Sequence, residues 1–291
     1  MSYKEIKKLV ADERLRIDLH DRIALNIKNL LEAFESDQFL KETKYSKEEF
    51  KKRIEKCEEL TEELCTIQAL LGYWGPTEQN KLFLFTIKSI STALKDHRSG
   101  SNIWRAVKWH SIQLLFYYGG ISAAATENYH KMYQLFDLMV PPPDHTHKMV
   151  TPSKACLIIN SQIDNAYNVL IEKENYKTPL SEYLYTQMKS SFNEIIGIGP
   201  LFESSFDRFE LIRALDYIDR EHDDIPDRVW APIGRFGYKV FEDSPFRQMI
   251  EEAEHQKENW KPFQAGFFRS SYKRFQNICT PLQERNQRFR W

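Results

Sequence analysis

The sequence predicts an all-α fold, a multi-helical bundle or short solenoid-like array, and three observations carry that reading. Ten glycines in 291 residues are few for a chain built on tight turns. Apolar residues recur at helical spacing through most of the chain. Capping and breaker residues fall where those periodic stretches end.

Residues 3–35 carry the helical spacing, clearest at Ile23, Ile27, Leu30, Leu31 and Phe34. Ser46-Lys47-Glu48-Glu49 is a capping box, in which the serine hydroxyl takes a free backbone N–H and Glu49 reaches back. The helix it opens turns Phe50, Ile54, Cys57, Leu60, Leu64, Ile67 and Leu71 to one face and ends at Gly75-Pro76. Thr77 starts the next, with Leu84, Ile87, Ile90 and Leu94 inward, and Arg98-Ser99-Gly100-Ser101 stops it. Residues 103–140 read as an antiparallel pair turning at Glu127-Asn128. Trp104, Leu114, Leu115, Tyr118 and Ile121 mark its first helix; Gly119, Gly120 and Ala123 to Ala125 admit a close neighbour. Tyr129, Met132, Tyr133, Leu135 and Phe136 line the return. The pair looks like one unit of a helical repeat, but no second copy follows at a fixed period.

Pro141-Pro142-Pro143 is the candidate linker between an N-terminal helical half, residues 1–140, and a C-terminal half, residues 151–291; the alternative is one continuous domain. Thr151-Pro152 and Thr178-Pro179 each set an N-cap before a first-turn proline, opening helices over 152–174 and 179–196. Gly197-Ile198-Gly199-Pro200 breaks the second, and 204–222 forms another amphipathic helix through Phe206, Phe209, Leu211, Leu215 and Ile218. Aromatics alternate with glycines from Trp230 to Val240, which predicts a small irregular or β-hairpin element near 230–240. A helix over 244–258, an aromatic segment at Gly266-Phe267-Phe268 and a terminal helix to Trp291 follow.

With 41 basic and 42 acidic residues, no global field draws the chain to nucleic acid or an anionic membrane. Cys57 and Cys65 lie ~12 Å apart along one helix, too far for a disulfide. All four cysteines therefore read as thiols in a reducing compartment. No apolar signal segment follows Met1, and the longest uncharged stretch, Ser111 to Thr126, is shorter than the ~20 residues a span needs. A cytoplasmic protein without a membrane partner is the expectation.

Four segments carry a family resemblance. Tyr176-Lys177-Thr178-Pro179-Leu180-Ser181-Glu182-Tyr183-Leu184, Phe206-Asp207-Arg208-Phe209-Glu210-Leu211, Trp230-Ala231-Pro232-Ile233-Gly234-Arg235-Phe236 and the Leu114 to Ala125 stretch resemble a helical region of large prokaryotic proteins. That region commonly lies C-terminal to a sirtuin-like NAD hydrolase, a TIR domain, a Schlafen-type ATP-binding domain or an NTPase, in architectures that look like anti-phage defence proteins. The resemblance spans about Asp18 to Phe275 and brings no catalytic residues with it. It implies a sensing or scaffolding role; the sequence departs from those proteins in lacking an N-terminal effector, so a stand-alone homologue, a subunit with a separate effector, or a fragment is expected.

The remaining constellations give weaker chemistry. Arg105 and His110 have the R-x-x-x-x-H spacing of HEPN-type ribonucleases, where arginine holds the phosphate and histidine moves the proton; on a straight helix they stand ~140° apart, and surface charge on a core helix is the other reading. His145 and His147 could share a metal on an extended segment, but no second ligand pair accompanies them. Acidic residues crowd the end of the 204–222 helix, against its dipole, so basic partners elsewhere in the fold are expected. Arg269, Lys273, Arg274, Arg285, Arg288, Arg290 and Trp291, interleaved with other aromatics, form the candidate nucleic-acid patch; docking on that acidic segment is the competing reading. No P-loop, dinucleotide fingerprint, nucleophile elbow or zinc set is present, so no cofactor is expected. The leading expectation is a non-catalytic sensor, adaptor or scaffold that binds a protein partner through aromatic grooves, with Trp230, Arg235 and Phe236 as contact candidates. A nucleic-acid module and an Arg105–His110 ribonuclease are the alternatives.

Overall fold

The computed structural model describes residues 3–36, 39, 44–96, 102–144, 146, 148–171, 176–239 and 244–288. Among them twelve α-helices form: α1 Tyr3–Ala11, α2 Arg16–Phe34, α3 Lys47–Tyr73, α4 Asn80–Asp96, α5 Asn102–Ala125, α6 Tyr129–Asp137, α7 Pro152–Ile163, α8 Pro179–Ile196, α9 Gly199–Glu221, α10 Pro245–Gln256, α11 Lys261–Ala265 and α12 Tyr272–Arg288. The fold is all-α. No described helix is long and apolar enough to cross a membrane.

The ends of these helices follow local chemistry. Ser46 sits in extended backbone and its Oγ accepts the Glu49 N–H at 3.1 Å, which starts α3. At the other end of α3, the buried Lys131 donates to the carbonyl oxygens of Leu71 and Gly75, at 2.7 and 2.5 Å. Desolvation there pulls the Lys131 ammonium down to about 8. Helix α8 begins at Pro179 and closes on Gly197, whose left-handed φ of 73° lets its N–H reach the Phe192 and Asn193 carbonyls. Helix α9 starts at Gly199, five residues before the expected 204, because Pro200 occupies its first turn instead of interrupting it. The helix expected over 152–174 ends at Ile163 and tightens into a 3₁₀ turn over Asp164–Leu170.

Helix α5 is the central post. It packs on α3, α4, α6, α7 and α9, and Ala106, Val107, Leu115 and Phe116 along it are fully buried. Its approach to α9 depends on Gly120, where an added Cβ would overlap the buried Phe209 ring. One contiguous apolar core runs from Ile6 to Leu282 and joins residues from both halves of the chain. The triple proline is buried, not an open linker, and a single antiparallel bridge between Val140 and Val150 closes the segment behind it. Near 230–240 the irregular alternative holds. The chain runs without regular structure to Gly234, with a tight turn from the Ile233 N–H to the Ala231 carbonyl, and then makes a 3₁₀ turn over Arg235–Tyr238; no strand pairing involves its described residues.

Helix α9 carries buried charge at every third position: Asp207, Glu210, Arg213, Asp216 and Asp219. Steps of three residues rotate ~60° around an α-helix, so the charges wind around α9 and meet partners on several elements. Asp207 takes Lys239, Glu210 takes Tyr117 and Ser181, Arg213 takes Tyr117 and Ser153, Asp216 takes Arg220, and Asp219 takes Arg274.

Candidate ligand-binding site

Where α5, α7, α8 and α9 meet the 229–239 segment, they enclose an open cavity of about 260 Å³. Its wall joins Tyr117 of α5, Leu157, Asn160 and Ser161 of α7, and Lys177, Thr178, Leu180 and Ser181 at the start of α8. Glu210 and Arg213 of α9 and the run Trp230 to Gly234 complete it.

Its polar side is one connected chain of hydrogen bonds. Arg213 Nη1 donates to the Tyr117 hydroxyl at 2.8 Å, and that hydroxyl donates to Glu210 Oε1 at 2.9 Å. Ser181 Oγ donates to Glu210 Oε2 at 2.8 Å and accepts the Arg235 backbone N–H at 2.9 Å. The serine thus pins the 229–239 segment onto α8, and Gly234 lets the backbone lie against the Glu210 carboxylate where any Cβ would collide with it. Burial pushes the Glu210 carboxyl up to about 7, against the opposing pull of Ser181, Arg213 and Tyr117. The same burial raises the Tyr117 hydroxyl well above its usual range.

Arg213 is 5% exposed. Its Nε reaches Ser153 Oγ at 3.3 Å, while Nη2 is shielded from solvent and has no hydrogen-bond partner. Among the described residues it makes no ion pair. Leu157, Leu180, Pro232 and Ile233 add apolar surface to the wall, and Trp230 stands 53% exposed with its ring against Tyr217.

The residues singled out from sequence are scattered by the fold. Of the three partner-contact candidates, only Trp230 offers its ring to the surface. Phe236 is in the core, and the Arg235 guanidinium stacks on Tyr185 at 3.4 Å with Glu182 and Glu203 each 3.7 Å away. His110 is buried: Nε2 meets Glu58 at 3.0 Å and Nδ1 meets the Tyr167 hydroxyl at 3.1 Å, so both ring nitrogens are taken. Arg105 is half-buried one and a half turns earlier. This histidine ties helices together and is not presented to an RNA.

The basic patch divides in the same way. Arg274 contacts the Asp219 carboxylate at 2.7 Å and the last carbonyls of α9, and Arg269 reaches Asp219 and Asp223. These cations answer the acidic end of α9, and Phe267, Phe268 and Phe275 beside them are buried, with no face free for a base. Lys273 is exposed. The side chains of Arg285 and Arg288, and all of Arg290, Trp291, His145 and His147, lie outside the described residues. Among those described, no three His, Cys, Asp or Glu side chains cluster as a metal site would need.

Sequence reasoning missed Tyr117, Ser181, Glu210 and Arg213 as a group. A signal was present: Glu210 and Arg213 are set among apolar neighbours, Phe209, Leu211, Ile212 and Ala214, in the middle of a helix. Compared with known proteins, the chain matches no family model, no curated protein and no solved structure.

Proposed function

We propose that this chain is a non-catalytic recognition module, a sensor or adaptor of a prokaryotic anti-phage defence system that works through a protein partner. One observation supports the reading above others. The four segments that resemble the helical region of defence proteins are separate in sequence, yet each contributes wall to the same cavity: Tyr117 from 114–125, Lys177, Thr178, Leu180 and Ser181 from 176–184, Glu210 from 206–211 and Trp230 to Gly234 from 230–236. A cavity that joins apolar surface to convergent polar groups is a usual form of small-molecule site. Within it Ser181 spends its hydroxyl on Glu210 and on the Arg235 backbone, which suits positioning and not nucleophilic attack. Trp230, on the rim and on the segment that Ser181 holds, is where cavity occupancy can be passed to a partner surface.

The test is a phage challenge in cells that carry the gene with its neighbouring genes. Ser161 is an exposed wall residue, so Ser161→Trp obstructs the cavity without disturbing the core. Protection that is present with the wild type and lost with folded Ser161→Trp is the expected result. Protection unchanged by the obstruction, or no protection in either case, overturns the proposal.

A further inference from the structure

We propose that the cavity takes a small organic anion whose oxyanion group, carboxylate or phosphate, is bound by the Arg213 guanidinium. The inference rests on the recognition reading and adds the chemical class of ligand to it. A buried guanidinium is costly unless it is paired and its donors are satisfied. Arg213 meets neither condition: it has no ion pair among the described residues, two of its nitrogens bond only neutral hydroxyls, and Nη2 bonds nothing. Glu210, the nearest acid in its network, is reached through the Tyr117 hydroxyl and not directly. Arg213 forms part of the cavity wall, so an oxyanion seated against it supplies the missing charge, and arginine is the side chain best suited to hold one. Lys177, exposed in the same wall, adds positive charge on the way in.

Size and lining restrict the rest of the molecule. The cavity of about 260 Å³ has room for a ring with an acid group. Leu157, Pro232 and Ile233, with Trp230 at the rim, match an apolar or aromatic body.

Isothermal titration calorimetry of the full chain with three probes tests this: phenylacetate, phenyl phosphate and the neutral benzyl alcohol. Saturable binding of at least one anion is expected, with benzyl alcohol about tenfold weaker or undetectable. Whichever anion binds identifies the oxyanion as carboxylate or phosphate. Arg213→Met should weaken that anion by at least about tenfold, and Ser161→Trp, at an exposed position, should abolish binding even where Arg213→Met does not fold. Absence of saturable binding by both anions, or equal binding of benzyl alcohol, overturns the inference. Binding of benzyl alcohol that Ser161→Trp removes would sink the anion and leave the recognition reading intact. Anion binding beside undiminished phage protection in Ser161→Trp would do the reverse.

Discussion

Replacing Glu210 by glutamine separates the cost of a buried charge from the value of the network around it. Glutamine keeps the shape of the side chain and mimics its protonated form. In the folded protein the Glu210 carboxyl sits at about 7, compared with 4.5 for an ordinary glutamate, because burial disfavours the anion. Below about pH 4.5 the folded and unfolded chains are both protonated here, so the site's contribution to stability is fully present. Between about 4.5 and 7 the unfolded chain loses its proton while the folded one keeps it, and stability falls as pH rises. At 1.36 kcal/mol for each pH unit, the wild type loses roughly 3 kcal/mol across that window, and then levels off. Glu210→Gln has no such loss. Asp216 is likewise pushed up to about 7, but it titrates in both proteins and cancels in their difference. The assay is urea unfolding of both proteins in steps from about pH 5 to about pH 8. The variant should gain on the wild type by roughly 2.5 kcal/mol over that range, since part of the loss is already spent at pH 5. A difference that stays flat would mean that Glu210 is ionised throughout, and the reasoning from burial would be wrong.

Gly120→Ala should destabilise by about 1–3 kcal/mol, since the new methyl meets the Phe209 ring and neither helix can retreat; a thermal melt reads it, and an unchanged melting temperature would show that α5 and α9 are less tightly packed. Ser46→Ala should cost about 1 kcal/mol through the lost cap on α3, measured by denaturant unfolding. Arg274→Ala should cost about 1–3 kcal/mol by removing the shorter of the two arginine contacts to Asp219 and the bonds to the last carbonyls of α9, with Arg269 still beside Asp219 and no change in affinity for single-stranded RNA across a salt series. His110→Ala should lower stability by about 2 kcal/mol as Glu58 and Tyr167 lose a partner, and RNA incubated with the wild type should stay intact; cleavage that disappears in the variant would revive the ribonuclease reading.

Helix existence was legible because its signals are local. The Ser46 cap, the Thr178-Pro179 opening and the Glu127-Asn128 turn depend on residues within one turn of each other, and each lies where expected, although the Thr178 side chain makes no cap hydrogen bond. Proline was read less well. Pro200 opens α9, and the prolines at 141–143 are packed inside, because a proline's meaning depends on what surrounds it. The acidic end of α9 was legible as a group needing cations, and Arg269 and Arg274 supply them. The cavity was not legible. Tyr117, Ser181, Glu210 and Trp230 come from four separate segments, and only tertiary packing brings them together. His110 and Phe236 look available in sequence for the same reason in reverse: nothing local records that other helices cover them.

The buried charges along α9 work as a coded key for assembly. Apolar packing alone tolerates a helix sliding by one turn or rolling on its axis, since leucine and phenylalanine fit many hollows. At α9 such a slip would part Asp207 from Lys239, Glu210 from Ser181 and Asp219 from Arg274 together, stranding several charges in a dry interior. The partners lie on α5, α7, α8, the 229–239 segment and α12, so a single helix checks the placement of most of the C-terminal half. The cavity inherits its shape from that check, since Glu210 and Arg213 are two teeth of the key and also part of its floor.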